Sequence, residues 1–258
     1  TLKTKTLIKG IVFLVFMIVA LSEFYHISIG NLFPIPQTCA FFTAIVFFVL
    51  IFLYNCIGLS GRWLWATIIP LALVQITTIF LSVNERRELS RFPYIYYGLG
   101  YIALPFSLSS FLAFRNGEFN CMLLLCFFIL IWMNDIGAYL LGSTLGQRPD
   151  AKKLAPSISP RKSWVGFWSG MVFCVGSAIA LKYIGLLDLP IVHAIALGVI
   201  ICVGGVCGAL FESIWKRYFG VKDSGHCIPG HGGMLDRFDS ALVAIPLATV
   251  YLALFGIL

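Results

Sequence analysis

The sequence predicts an all-α, polytopic transmembrane helical bundle, and three observations carry that expectation. Hydrophobic residues make up 60% of the 258 positions and charged residues only 11%, with a mean hydropathy of +0.95. That is not the composition of a soluble domain. Apolar runs of about 18 or more residues recur, long enough to cross a hydrocarbon layer of about 30 Å as helices. Backbone groups in lipid must bond within their own segment, so repeated runs of this length mean a helical bundle. The alternating segments of about 10 residues that mark a transmembrane β-barrel are absent.

Eight spans are expected, over residues 7–22, 38–55, 63–81, 95–114, 119–141, 164–184, 191–211 and 238–257. The first follows Lys3 and Lys5, carries Lys9 in its first turn and runs to Ser22-Glu23-Phe24. Arg86, Arg87 and Arg91 separate the third from the fourth. The fifth carries an acidic residue, Asp135, and the sixth opens at Trp164 behind a proline-rich polar piece. The seventh runs into a charged stripe, and the eighth follows a glycine-rich segment. No internal repeat or low-complexity tract is present. Residues 1–258 read as one membrane domain, with N-terminal spans in 1–120 and a second half, 121–258, that holds polar loops at 142–163 and 212–237.

The net charge of +7 is uneven: nine of the 18 Lys and Arg residues (Arg148, Lys152, Lys153, Arg161, Lys162, Lys216, Arg217, Lys222 and Arg237) fall in those two loops. Part of this is the positive-inside rule, which places both loops on the cytoplasmic face. The rest suits an anionic partner such as a lipid phosphate or a nucleotide. Nucleic acid is not expected, because the basic groups sit beside membrane spans. Counting spans backwards puts Lys3, Lys5 and Lys9 outside, against the rule, and the chain begins with Thr1. One further N-terminal span, absent from this sequence, would reconcile both facts; a cleaved signal peptide is the alternative.

The 8 cysteines are scattered, with no C-x-x-C pair, and read as small buried hydrophobes. Cys227 with His226 and His231 lacks the second ligand pair of a zinc site.

Polar residues cluster in three places. Asp135, in Asn134-Asp135-Ile136-Gly137-Ala138-Tyr139, is an ionisable group deep in or near the end of a span, and it shares a helix face with Tyr139. It reads as a metal or substrate ligand at the floor of a polar cavity, or as an Asp bonded to a neighbouring helix. Next, Pro156 and Pro160 keep 153–163 out of a regular helix. The loop carries Ser157, Ser159, Arg161, Lys162 and Ser163 just ahead of a helix N-terminus, a phosphate cradle or simply a solvated loop.

The third cluster is the segment from Gly208 to Ser240. Glu212, Ser213, Lys216 and Arg217 fall on one helical stripe, and Gly220 ends that helix. Lys222-Asp223-Ser224-Gly225 reads as a turn. Pro229-Gly230-His231-Gly232-Gly233 is a loop whose backbone N–H groups could approach a phosphate. Asp236 stands at an N-cap position with Asp239 three residues on. Two such carboxylates suit the helix dipole and could hold one Mg²⁺ through oxygen ligands.

With these residues in place, the sequence resembles the phosphatidate cytidylyltransferases, also called CDP-diglyceride synthetases. Their signature runs approximately S-x-x-K-R-x4-K-D-x-G-x3-P-G-H-G-G-x-x-D-R-x-D. Here it stands as Ser213, Lys216-Arg217, Lys222-Asp223, Gly225, Pro229-Gly230-His231-Gly232-Gly233, Asp236-Arg237 and Asp239. Asn134 to Tyr139, Lys153 to Pro156 and Ser159 to Trp164 look like the family's upstream motifs. Ser22-Glu23-Phe24 resembles the end of its second span. One position departs. The family usually has Asp where this chain has Ala209, and the resemblance implies that this Asp helps Asp236 hold the metals.

The resemblance implies transfer of a cytidylyl group from CTP to phosphatidate, giving CDP-diacylglycerol and pyrophosphate in a bacterial cytoplasmic membrane, with the active site facing the cytoplasm. It implies Mg²⁺, with room for a second cation, on Asp236, Asp239 and Asp135. Lys216, Arg217, Lys222, Asp223 and Arg237 would be catalytic. Ser159, Arg161, Lys162, Ser213, His231, Gly232 and Gly233 would bind substrate. Membrane lipid is a partner, and a homodimer is admitted. Ala209 keeps an alternative open, an impaired or inactive relative of this enzyme. A transporter would show paired broken helices in repeated halves, and a CDP-alcohol phosphotransferase would show D-G-x2-A-R-x8-G-x3-D-x3-D; neither is present.

Overall fold

The computed structural model describes residues 2–85, 89–115, 118–225, 227, 230 and 232–258. Among the described residues, eight helices are long and apolar enough to cross a membrane: Thr6–Ser28, Pro34–Ile57, Gly61–Leu81, Pro93–Ala113, Met122–Thr144, Trp164–Tyr183, Ile191–Tyr218 and Leu235–Leu254. Each falls on an expected span.

Local chemistry sets the ends. Helix α1 is Leu2–Ser28, and α2 (Pro34–Ile57) has a proline in its first turn, where the missing N–H costs nothing. It stops before Gly58, whose φ of 68° is the left-handed C-terminal conformation. A 3₁₀ stretch, Gly61–Thr67, leads into α3 (Ile68–Glu85). The fourth span is not one regular helix: α4 (Pro93–Gly98) passes through a π turn, Leu99–Ala103, into α5 (Leu104–Ala113). Pro105 follows that turn, and a ring with no N–H is accommodated there by a widened turn. Strands β1 (Phe114–Arg115) and β2 (Glu118–Phe119) pair antiparallel before α6 (Met122–Thr144).

The piece expected to be a loop at 153–163 is a small hairpin of β3 (Lys153–Ala155) and β4 (Ser159–Ser163). The prolines exclude helix as expected, yet the ladder forms. It pairs Lys153 with Ser163 and Ala155 with Ser159, and it is irregular between them, where Pro160 offers no N–H. Helix α7 (Trp164–Tyr183) follows, capped by Ser163, whose hydroxyl accepts from Gly166 N at 3.1 Å. Helix α8 (Ile191–Tyr218) ends two residues before Gly220, which has φ 71°. Helix α9 is Leu235–Leu254.

The chain forms two compact units. One comprises Thr1–Phe119 with Asp223–Arg237, the other Asn120–Lys222 with Phe238–Leu258. In the first, the end of α1 is pinned by aromatic packing. The buried Tyr25 hydroxyl donates to Ile95 O at 2.7 Å, its ring meets Phe41 edge-on, and Phe24 stacks on Tyr97. In the second, small residues let helices approach closely, as membrane interfaces require. Ser169 of α7 donates to Gly137 O of α6 at 2.8 Å, and Gly208 of α8 lies against Asp239 O. All eight cysteines are free thiols. Cys126, Cys174 and Cys202 are buried as expected, whereas Cys207 and Cys227 are exposed.

Candidate active site

In the second unit, α6, the β3–β4 hairpin, α7, α8 and Ser240 of α9 enclose a cavity of about 540 Å³. Asp135 and Tyr139 both line it from α6, one turn apart, and Ala209 lines it from α8. Ser159, Arg161 and Lys162 line it from the hairpin. The Asn134 Oδ1 is buried and accepts no hydrogen bond from the described residues.

Lys162 is the electrostatic centre of this cavity. Burial pushes its ammonium below the ordinary lysine pKa; Asp239, Asp135 and Glu212 pull it back up, and Lys216 pushes it down. Three carboxylates and a second cation therefore lie within electrostatic reach of one half-buried lysine. Asp135 and Asp239 also repel each other directly. Glu212 is 1% exposed and pairs with Lys216 at 3.4 Å. A buried carboxylate of this kind needs its partner cation.

Side-chain bonds fasten the strand that carries Lys162 to the end of α6. Gln147 Nε2 donates to Gly142 O at 3.0 Å and to Arg161 O at 2.8 Å, tying the end of α6 to β4. Lys153 Nζ donates to Gly146 O and to Gln147 Oε1, both at 2.8 Å.

In the first unit, two carboxylates gather Ser224, Gly233, Met234 and Leu235. Asp236 Oδ2 accepts from Ser224 N at 2.9 Å, Ser224 Oγ at 3.0 Å and Gly233 N at 2.8 Å. Glu23, on α1, accepts from Ser224 Oγ at 3.0 Å and from Met234 N and Leu235 N at 2.9 Å each.

Comparison with known proteins bears on this arrangement. The pattern of the cytidylyltransferase family matches residues 2–255. The chain belongs to the cytidylyltransferase family. Among its relatives, the phosphatidate cytidylyltransferase of Bacillus subtilis (strain 168) is 42% identical over 128 residues, 50% of this chain and 46% of that protein. The phosphatidate cytidylyltransferase of Staphylococcus haemolyticus (strain JCSC1435) is 29% identical over 239 residues, 91% of this chain and 86% of the relative. That of Staphylococcus aureus (strain COL) is 40% identical over 125 residues, 48% and 46% of the two chains. The match thus spans about half the length of the Bacillus subtilis and Staphylococcus aureus proteins.

Set against this family, the residues singled out in the sequence divide. Asp135, Asp239, Ser159, Arg161, Lys162 and Lys216 belong to one unit, and all of them line the cavity or act electrostatically on Lys162. The Ser213 hydroxyl donates to Ala209 O at 2.7 Å, the back-bond that a serine inside a helix readily makes. Arg217 is exposed and donates to Val221 O at 3.3 Å. Lys222, Asp223 and Arg237 are exposed. His231 lies outside the described residues, as do His226 and Pro229.

Asp236 is not an N-cap. Helix α9 begins at Leu235, so Asp236 is already inside it, and its carboxylate reaches back to Ser224 and Gly233. Gly232 has a positive φ, 83°, and a Cβ there would lie 2.7 Å from Asp236 Oδ2. Gly233 N–H, expected to face a phosphate, is bonded to Asp236.

Of the three carboxylates expected to hold a metal, Asp135 lines the cavity, Asp239 acts electrostatically on Asp135, and Asp236 is bonded to Ser224 and Gly233. Among the described residues, no group of three or more His, Cys, Asp or Glu side chains could hold a metal by itself.

Glu23, Ser224, Gln147 and Lys153 were not among the expected site residues. An ionisable residue inside a span is the signal that points to Glu23. The other three act through backbone contacts that residue type does not announce.

Proposed function

We propose that this protein is a phosphatidate cytidylyltransferase, converting CTP and phosphatidate to CDP-diacylglycerol and pyrophosphate in a bacterial cytoplasmic membrane. The observation that carries the reading is Lys162, set among Asp239, Asp135, Glu212 and Lys216 at a cavity built from the family's own motifs.

In the reaction, a phosphate oxygen of phosphatidate attacks the α-phosphorus of CTP in line. One phosphorus–oxygen bond forms as the α–β bond breaks, and the electron pair leaves on pyrophosphate. The dianionic phosphomonoester has no proton to lose, so no general base is required. Positioning and charge neutralisation supply the rate. Lys162, Arg161 and Lys216 would balance the phosphate charge, and Ser159 would donate to a phosphate oxygen. Arg217, Lys222 and Arg237 keep this role in the reading because they match the signature, and Asp223 keeps its catalytic assignment on the same ground. Gly232, Gly233 and His231 would shape the loop. Asp135 and Asp239 would hold Mg²⁺, which supplies a Lewis acid on the phosphates. Asp236 belongs to the proposed set by its place in the signature.

Purified protein with labelled CTP, phosphatidate and Mg²⁺ tests the reading. Formation of labelled CDP-diacylglycerol is the expected result. No product from either this chain or its Ala209→Asp variant would reject the assignment.

A further inference from the structure

We infer that Glu23 is a positioning residue for the two ends of the glycine-rich segment: it holds Ser224 on one side and Met234 and Leu235 on the other, and through Ser224 the carboxylate of Asp236, in one arrangement. The inference rests on the reading above for what the loop does, and on geometry alone for what Glu23 does.

Three independent observations meet at this side chain. First, its carboxylate accepts two backbone N–H groups, from Met234 and Leu235. These amides open α9 and have no partner within the helix, and a carboxylate against them matches the helix dipole. Second, Ser224 Oγ lies 3.0 Å from both Glu23 Oε2 and Asp236 Oδ2, so one hydroxyl joins the two carboxylates. Third, the loop is shaped around Glu23. A Cβ on Gly225 would sit 2.7 Å from Glu23 Oε1, and a Cβ on Gly233 would collide with Glu23 Oε2 and Ser224 Oγ. Glycine at these positions makes room for the carboxylate.

The consequence concerns pre-organisation. A loop holding Gly225, Gly230, Gly232 and Gly233 has large conformational freedom. Helix α1 is fixed near Glu23 by Phe24 and Tyr25, each at most 1% exposed. Glu23 passes that rigidity to Ser224, Met234 and Leu235. A substrate then meets these residues already placed and need not supply the free energy of placing them. Glu23 touches loop amides and a loop hydroxyl, so its effect on turnover is indirect.

The test uses the full chain and the variants Glu23→Ala and Glu23→Gln. Hydrogen–deuterium exchange is read at peptides covering 222–236 and 122–144, alongside steady-state kinetics. In Glu23→Ala, exchange at the 222–236 peptide should rise about tenfold or more, with 122–144 unchanged. Glu23→Gln keeps one acceptor oxygen and should fall between the two. If Glu23→Ala does not fold, the Gln variant carries the test. In an active background, kcat should fall about 10- to 100-fold while the KM for CTP moves much less. Unchanged exchange at 222–236 in a folded variant overturns the inference, as does a uniform rise across both peptides. Loop loosening in a protein that never turns over CTP rejects the functional reading and leaves the positioning role standing.

Discussion

Glu23 accepts the backbone amide of Leu235 at 2.9 Å, joining two residues 212 positions apart in the chain. A carboxylate from the first described span therefore terminates the last one. The loop richest in signature residues is anchored by a residue outside the signature.

Lys162 should be the most sensitive cation in the cavity. Lys162→Met removes the charge that faces Asp239, Asp135 and Glu212. Losing one such phosphate-facing donor costs about 100-fold or more in kcat. Single-turnover formation of CDP-diacylglycerol, with far-UV circular dichroism to confirm the fold, checks this. A loss of less than about threefold would remove Lys162 from the reaction.

Asp135→Asn and Asp239→Asn should each raise the Mg²⁺ concentration needed for half-maximal activity, by about tenfold or more. The basis is that the two carboxylates repel each other beside the cavity. Mg²⁺ titrations of initial rate measure it. An unchanged requirement in both variants would move the metal elsewhere.

Ala209→Asp should raise activity by orders of magnitude. Ala209 lines the cavity that Asp135 and Lys162 also line, so a carboxylate there adds an oxygen ligand where metal and nucleotide would meet. Parallel assays of the two forms decide. Robust turnover by the Ala209 form, with little gain from Asp, would show that the existing carboxylates suffice.

Packing makes a prediction separate from chemistry. A Cβ on Gly208 would collide with Asp239 O, whereas a Cβ on Gly176 meets nothing within 4 Å. Gly208→Ala should destabilise by about 1–3 kcal/mol. Gly176→Ala, inside α7, should be neutral or stabilising by up to about 1 kcal/mol. Melting temperatures in detergent compare them, and equal melting would contradict the close α8–α9 approach.

Orientation is testable at Ser157 and Lys222, both exposed. Cysteines at these positions, with the exposed Cys207 and Cys227 replaced first, should be labelled from the cytoplasmic side. Ser224 is unsuitable for this purpose, since it is 4% exposed and bonded to Glu23 and Asp236. Labelling of either position only from outside would reverse the proposed topology.

What the sequence determined by itself was the set of spans and their chemistry. Long apolar runs in lipid have one solution, the helix, because the backbone must bond to itself; all eight were legible for that reason. Asp135, Arg161 and Lys162 were legible because a charge in or beside a span needs a purpose. The tertiary structure decided which of these groups act together. Lys162 sits beside Asp135 with the help of Gln147, whose side chain bonds Arg161 O and ties β4 to the end of α6, a contact invisible to residue type. Ser213 donates its hydroxyl to Ala209 O one turn back in the same helix, a contact that only the folded helix shows. Asp236 changed from a cap to a loop clasp because Ser224 and Gly233 fold onto it. The α9 N-terminus took its carboxylate from Glu23. A helix end's unpaired N–H groups can be met by any acceptor that the fold brings near, and nearness across 212 residues is not a property of sequence.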